Sequence, residues 1–131
     1  MAIRIVRLGS PREEDEGLRI GTVRRPPRGV KKERWSRENF FDVWLPQLAP
    51  SQQLVSLAHA AKSEADWKRY QRGYLKEMSA PDTSRLIAML AALSETANLS
   101  VGCYCEDDNT RCHRWMLRRL LAAAGANLYE S

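Results

Sequence analysis

Residues 99–125 read LSVGCYC (99–105), EDDNT (106–110) and RCHRWMLRRLLAAAG (111–125), and this strand-turn-helix unit decides the fold class. The first piece is apolar, uncharged and too short for a stable helix, which predicts a buried strand. The second is acidic and polar and supplies several helix N-caps, Asn109 and Thr110 among them. The third places Leu117, Leu120, Leu121 and Ala124 on one helical face and stops at Gly125.

Upstream, apolar spacing predicts a run of helices. Leu86, Leu90, Leu93 and Ala97 form one stripe after Pro81, with Asp82 as its cap. Ser63 and Asp66 form a capping box, with Asp in place of the usual Glu, ahead of Trp67, Tyr70, Tyr74, Leu75 and Met78. Ser51 caps a shorter segment carrying Leu54, Leu57, Ala58 and Ala61. A further short helix is expected over residues 36–45, from Ser36 through Phe40, Phe41, Val43, Trp44 and Leu45 to the break at Pro46. The amino-terminal part is β-rich. Ile3, Ile5 and Leu8 mark a strand ending at Gly9-Ser10-Pro11, and Ile20, Thr22 and Val23 mark a second that stops at Pro26-Pro27. Strands separated by helices imply an α/β protein: a small, mainly parallel sheet layered with helices in a Rossmann-like three-layer architecture. In such sheets ligands bind at the carboxyl edge, where the turn after Cys105 would lie.

The 131 residues, 44% hydrophobic and 28% charged, fit neither a disordered chain nor a fibre, and one domain over residues 1–131 with one core is expected. The net charge of +5 favours anionic partners. Arg4 and Arg7 interrupt the apolar residues at the amino terminus, so a secretory signal is not expected there, and no apolar run reaches transmembrane length. Three cysteines, an odd number, argue against a disulfide framework and for reduced thiols, hence a cytoplasmic location.

The residues with chemical potential bracket the last turn. With Asn109 or Thr110 as N-cap, Cys112 falls in the first helical turn, where free amides, the helix dipole and Arg111 and Arg114 favour a thiolate. Glu106, Asp107 and Asp108 oppose it; a buried, inert Cys112 is the competing reading. His113 suits an acid, a base or a metal ligand, or a plain hydrogen bond to the acidic turn. Arg114 offers an oxyanion charge and paired donors, unless it is spent on a salt bridge to Glu106 or Asp107. Cys103 and Cys105 share one side of the strand and, with Cys112 and His113, would make a site of three sulfurs and one nitrogen, although structural zinc sites more often use Cys-x₂₋₄-Cys pairs. A redox pair of Cys105 and Cys112 is an equal alternative, at a separation unlike Cys-x-x-Cys. Cys105 and Arg111 have the Cys-x₅-Arg spacing of cysteine-dependent phosphatases, but three carboxylates and no glycine lie between them, which disfavours a phosphate cradle. The second feature is a basic tract: between Arg24 and Arg34 stand Arg24, Arg25, Arg28, Lys31, Lys32 and Arg34 against the single acid Glu33.

Together these blocks resemble the domain of unknown function 488 family, with its small YeaO-like members. The resemblance runs through residues 7–17 with Arg19, through VRRPPRGVKK at 23–32, through the helical segment at 67–78 with Tyr74-Leu75, and through CYCEDDNTRCHRWMLRRLL at 103–121. The second block is similar to a family pattern Asp-Arg-x-Trp-Pro-Arg-Gly followed by basic residues. Arg24, Pro27, Arg28, Gly29, Lys31 and Lys32 match it, whereas Val23 and Pro26 stand at the Asp and Trp positions. Glu106, Cys112, His113 and Arg114 match the family's Glu-x₅-Cys-His-Arg feature. The resemblance implies an α/β fold and a shared site at these positions and names no function or cofactor.

The expectation is therefore a basic cleft in which Arg24, Arg28, Lys31, Lys32, Glu106 and Arg114 bind a phosphate- or carboxylate-bearing small molecule beside Cys112 as nucleophile and His113 as acid or base. The alternatives are a Cys/His metal-binding protein and a non-enzymatic module for nucleic acid or regulation, using the basic tract with Trp35 and Trp115.

Overall fold

The computed structural model describes residues 1–130. Four strands, β1 (Ile3–Arg7), β2 (Leu18–Gly21), β3 (Val43–Trp44) and β4 (Leu99–Cys103), form one sheet in the order β1-β4-β2-β3, and every pairing is parallel. Four helices, α1 (Gln52–Ala60), α2 (Glu64–Met78), α3 (Pro81–Leu93) and α4 (His113–Ala123), occupy the chain between β3 and β4 and after β4. The late, fully buried β4 is inserted between the two amino-terminal strands, which explains its unbroken apolar character.

Strand periodicity assigns the two faces of the sheet. Register pairs Ile3 with Leu99 and Ile20 with Val101, so these side chains share one face. All four helices pack on it: Leu54, Tyr70, Tyr74, Met78, Ile87, Leu90, Met116, Leu117 and Leu121 join those strand residues in one core cluster. The other face carries Arg19, Gly21, Ser100 and Gly102 and is covered by loops. Phe41 lies on Gly21, where an added Cβ would sit 2.3 Å from its ring. Beside it Arg19, fully buried, pairs with buried Glu16 at 2.5 Å and donates to the carbonyls of Ser10 and Asn39. Helices, sheet and loop cover make the three-layer α/β architecture that the sequence pattern implies.

Two local expectations are corrected. The helix expected over 36–45 does not form. Asn39 takes a positive φ of 65°, which breaks any helical path, and Val43–Trp44 pairs with β2 instead. The aromatic residues of this stretch pack inward around Phe41, Trp35 and Trp44 rather than along a helix face. The third helix starts two residues earlier than expected: Pro81 occupies its first turn, where a missing N–H costs nothing, and Ala80 rather than Asp82 is the N-cap.

Candidate functional site

At the carboxyl end of β4 the chain leaves the sheet through Tyr104 and Cys105, crosses an acidic turn and enters α4. The Asn109 side chain accepts from the Arg111 amide at 3.1 Å, so it closes a local turn and does not cap the helix. The N-cap is Cys112, with extended backbone angles (φ −63°, ψ 141°) and no capping hydrogen bond from its side chain. Its thiol is thereby freed to turn back toward β4, a geometry different from the first-turn position expected from the sequence.

Three thiols and one imidazole meet there. Cys103 Sγ lies 3.7 Å from Cys105 Sγ, and Cys112 Sγ lies 3.9 Å from His113 Nδ1. The ligand atoms of Cys103, Cys112 and His113 all fall within 4.8 Å of one another. Cys103 and Cys112 are buried, while Cys105 is half-buried. His113 Nε2 is 2.6 Å from the Thr22 carbonyl oxygen. A carbonyl only accepts, so Nε2 carries the proton and Nδ1 presents its lone pair to the thiols. Burial lowers the His113 pKa to about 4, which keeps the ring neutral near pH 7. Within the thiol cluster, donation from Cys103 and then Cys112 lowers the Cys105 pKa. The hydrogen bond with Cys105 raises Cys103, and those with Cys103 and then Cys105 raise Cys112. The cluster therefore favours the thiolate form at Cys105 over Cys112.

A cavity of about 600 Å³ opens over this group. Its floor is Cys103, Cys105, Cys112 and His113; one wall is Arg24, Arg25 and Arg28 from the loop after β2; the opposite wall is Trp67 and Tyr70 of α2 with Arg111. Val55, Ala58 and His59 of α1 and Tyr104 complete the lining. The Arg25 and Arg28 side chains are exposed and have no hydrogen-bond or ion-pair partner among the described residues. Arg24 donates to the carbonyls of Pro46, Ala49 and Pro50 and so ties the loop to the segment leading into α1. Arg111 pairs with Glu64 and lies over the Trp67 ring, its guanidinium carbon 4.9 Å from the centroid. The Tyr104 hydroxyl donates to the Arg25 carbonyl at 3.0 Å, linking the arginine loop to the cysteine strand.

Of the residues singled out from the sequence, Arg24, Arg28, Cys112 and His113 line this one cavity. Lys31 is exposed outside it, and Lys32 lines a separate concavity beside Trp35 and Trp44. The Glu106 carboxylate pairs with Arg7 at 3.0 Å. Arg114 is buried: it donates to the Glu106 carbonyl at 2.7 Å and the Val6 carbonyl at 3.3 Å, and its nearest carboxylate, Asp107, is 3.8 Å away. It braces the cysteine turn against β1 from behind the cavity, and its Nε has no partner. Trp35 and Trp115 are half-buried, and their indoles donate to the carbonyls of Val30 and Asn109.

Sequence reasoning did not single out Arg25, Trp67, Tyr70 or Tyr104 for this site, nor Arg111 as part of its wall. Arg25 and Tyr104 sit inside the basic tract and the cysteine strand, so adjacency was a usable signal for both. The α2 aromatics appeared as an ordinary amphipathic stripe, and nothing local distinguishes a core aromatic from one facing a cavity.

Fold and site define a parallel α/β protein with a cysteine-histidine floor under an arginine-rimmed cavity at the sheet's carboxyl edge. The chain belongs to the DUF488 family: residues 3–125 match DUF488-N3a, the active DUF488-N3 subclade. No curated protein and no solved structure matches the chain. Among the described residues, no helix is long and apolar enough to cross a membrane.

Proposed function

We propose that the cavity binds a small molecule with an anionic end and an apolar or aromatic body. The phosphate or carboxylate rests on Arg25 and Arg28, and the body lies against Trp67, Tyr70 and Tyr104. The observation that carries this reading is the single cavity holding uncommitted guanidinium groups, aromatic walls and the cysteine-histidine floor. Its size falls in the range of small-molecule sites, and a largely apolar lining with a few convergent polar groups is their usual composition. Two exposed guanidiniums supply paired donors to an oxyanion. Trp35, packed edge-on against Phe41 and Trp44, offers no free ring on which a base could stack, which favours this reading over a nucleic-acid surface.

Titrating the chain with phenyl phosphate and inorganic phosphate, followed through Trp67 fluorescence, tests the proposal. Phenyl phosphate should bind more tightly than phosphate. Arg28→Ala and Arg25→Ala should each weaken it about 10-fold, the loss of roughly 1.4 kcal/mol, with little change in melting temperature because both side chains are exposed. Saturable binding that neither substitution alters, or no binding, would remove the proposal. A nucleic-acid surface would instead bind an oligonucleotide with steep salt dependence.

A second reading, thiol chemistry on the bound molecule, is favoured by Cys105 being the half-buried thiol in the cavity floor. The designation of the subclade as active is in keeping with it. On this reading the half-buried Cys105 takes the place of the buried Cys112 as candidate nucleophile. In the metal-free protein iodoacetamide should modify Cys105 ahead of Cys103 and Cys112, as read by peptide mass spectrometry.

A further inference from the structure

We infer that Cys103, Cys105, Cys112 and His113 form a tetrahedral site for one soft divalent cation, of which zinc is the type. The inference goes beyond ligand binding in the cavity and does not depend on it.

Distance is the first argument. A tetrahedron with metal–sulfur bonds of about 2.3 Å and a metal–nitrogen bond of about 2.0 Å has sulfur–sulfur edges of about 3.8 Å and sulfur–nitrogen edges of about 3.5 Å. The Cys103–Cys105 edge is 3.7 Å and the Cys112–His113 edge is 3.9 Å. The remaining edges among Cys103, Cys112 and His113 are within 4.8 Å. Cys103, Cys112 and His113 thus form three corners, and Cys105, in contact with Cys103 Sγ, is the thiol placed to close the fourth.

The second argument is the histidine. A metal-bound imidazole coordinates through one nitrogen and donates from the other to a carboxylate or carbonyl, which fixes its tautomer. His113 is already in that state: Nε2 donates to the Thr22 carbonyl and Nδ1 faces the sulfurs. The Tyr74 ring, 5.5 Å from the imidazole, holds its plane.

Third, the local fold explains why the spacing is unusual for zinc. Knuckle sites need two or more residues between cysteines because a tight turn must bring both thiols round to one side. Here Cys103 ends the strand and the chain bends through Tyr104 and Cys105, which brings the two sulfurs to 3.7 Å with a single residue between them. The second pair comes from an N-cap and its successor, where the chain turns from extended to helical.

Charge is consistent with the same set. Binding takes all three cysteines as thiolates, with whatever thiol protons remain released to solvent, and places a divalent cation among them and a neutral imidazole, leaving a net charge of −1. The Arg114 guanidinium behind the turn and the amino end of α4 both face that charge.

The test uses the full chain, reduced, stripped with chelator and reloaded with zinc or cobalt(II) alone. One zinc per chain should survive gel filtration. The cobalt form should show thiolate-to-cobalt charge transfer with the intense d–d bands of tetrahedral coordination. Zinc should also protect all three cysteines from N-ethylmaleimide. Cys105→Ser, at a half-buried position, should fold normally and lose more than about 100-fold in zinc affinity, exceeding the roughly 10- to 100-fold loss of an outer-shell change. Cys112→Ser should lose more, and if it fails to fold, Cys105→Ser decides. No retained zinc, a cobalt spectrum without thiolate bands, or a Cys105→Ser protein that binds zinc as tightly as the parent would overturn the inference. Phenyl phosphate binding, measured on stripped and loaded protein, keeps the two ideas apart. Its loss with zinc uptake intact defeats only the cavity reading, and retained phenyl phosphate binding without zinc uptake defeats only the metal site.

Discussion

The Arg19 guanidinium lies at zero exposure in the loop-covered face of the sheet, held by both Glu16 carboxylate oxygens and two carbonyls. Ionised groups so deep in a protein are stable only while every partner is present. Arg19→Met should therefore cost about 3–5 kcal/mol, because it leaves the Glu16 charge buried and unpaired. Urea denaturation reads the loss, and adding Glu16→Gln should restore much of it. A milder case is the Tyr74 hydroxyl, which donates to the Leu48 carbonyl at 2.8 Å inside the helix-packed face. Tyr74→Phe should cost about 1–3 kcal/mol by leaving that acceptor without a donor. The burial of Arg19 was not legible in the sequence. An arginine between Leu18 and Ile20 has the pattern of a solvent-facing strand position, and the loops that bury it are distant in the chain. Cys112 and His113 were legible as a pair, since their position at the start of a helix after an apolar strand follows from local pattern. That the thiol cluster lowers the Cys105 pKa and raises that of Cys112 depends on tertiary placement of three thiols and was not.

Elements with a strong local signal appear where the sequence puts them. The capping box at Ser63 and Asp66 is formed in both directions, and Ser51 caps α1 through the Leu54 amide. The apolar run at 99–105 gives β4, shortened to Leu99–Cys103 because the cysteine cluster diverts its end. Residues 36–45 misled because their aromatics have helical spacing, yet each is claimed by a separate tertiary contact: Phe41 by the bare backbone at Gly21, and Trp44 by a hydrogen bond to the Val23 carbonyl. Glycine makes such close approach available on both covered strands, and the two positions should respond differently to a methyl group. A Cβ at Gly102 would lie 2.6 Å from the Val6 carbonyl oxygen, which is fixed by the β1–β4 pairing. At Gly21 the nearest atoms belong to the Phe41 ring, which can tilt. Gly102→Ala should thus cost at least about 3 kcal/mol, the upper end for overpacking, and Gly21→Ala about 1–2 kcal/mol. Thermal melts of the two variants side by side give the comparison.

Across the whole molecule one chain of contacts joins the loop cover to the cavity at the sheet's carboxyl edge. Asp42 accepts from both terminal nitrogens of Arg12, from the Ser36 hydroxyl and from the Arg19 amide, closing the cover. Two residues on, the Trp44 indole holds Val23, and Arg24 next to it fastens the arginine loop to the segment before α1. Despite the opposing cost of burial, the Arg12 and Ser36 hydrogen bonds hold the Asp42 pKa down at about 2. An unfolded Asp titrates near 3.9, so the unfolded chain takes up this proton first as pH falls. The stability contributed by Asp42 is complete above about pH 4 and disappears as the pH drops toward about 2. Glu16, lowered by its hydrogen bond to Arg19 against the cost of burial, acts with the same sign. Asp42→Asn should lower stability at pH 7 on the order of 1 kcal/mol, discounted for its partial exposure, and should flatten the acid limb, so that parent and variant converge below about pH 2. Circular dichroism melts from pH 7 to 2 measure this. Because the same contacts lead through Trp44 to Arg24, Asp42→Asn should also weaken phenyl phosphate binding at pH 7 by a few-fold while leaving zinc affinity unchanged, since the β4–α4 junction that carries the sulfurs is braced independently by Arg114.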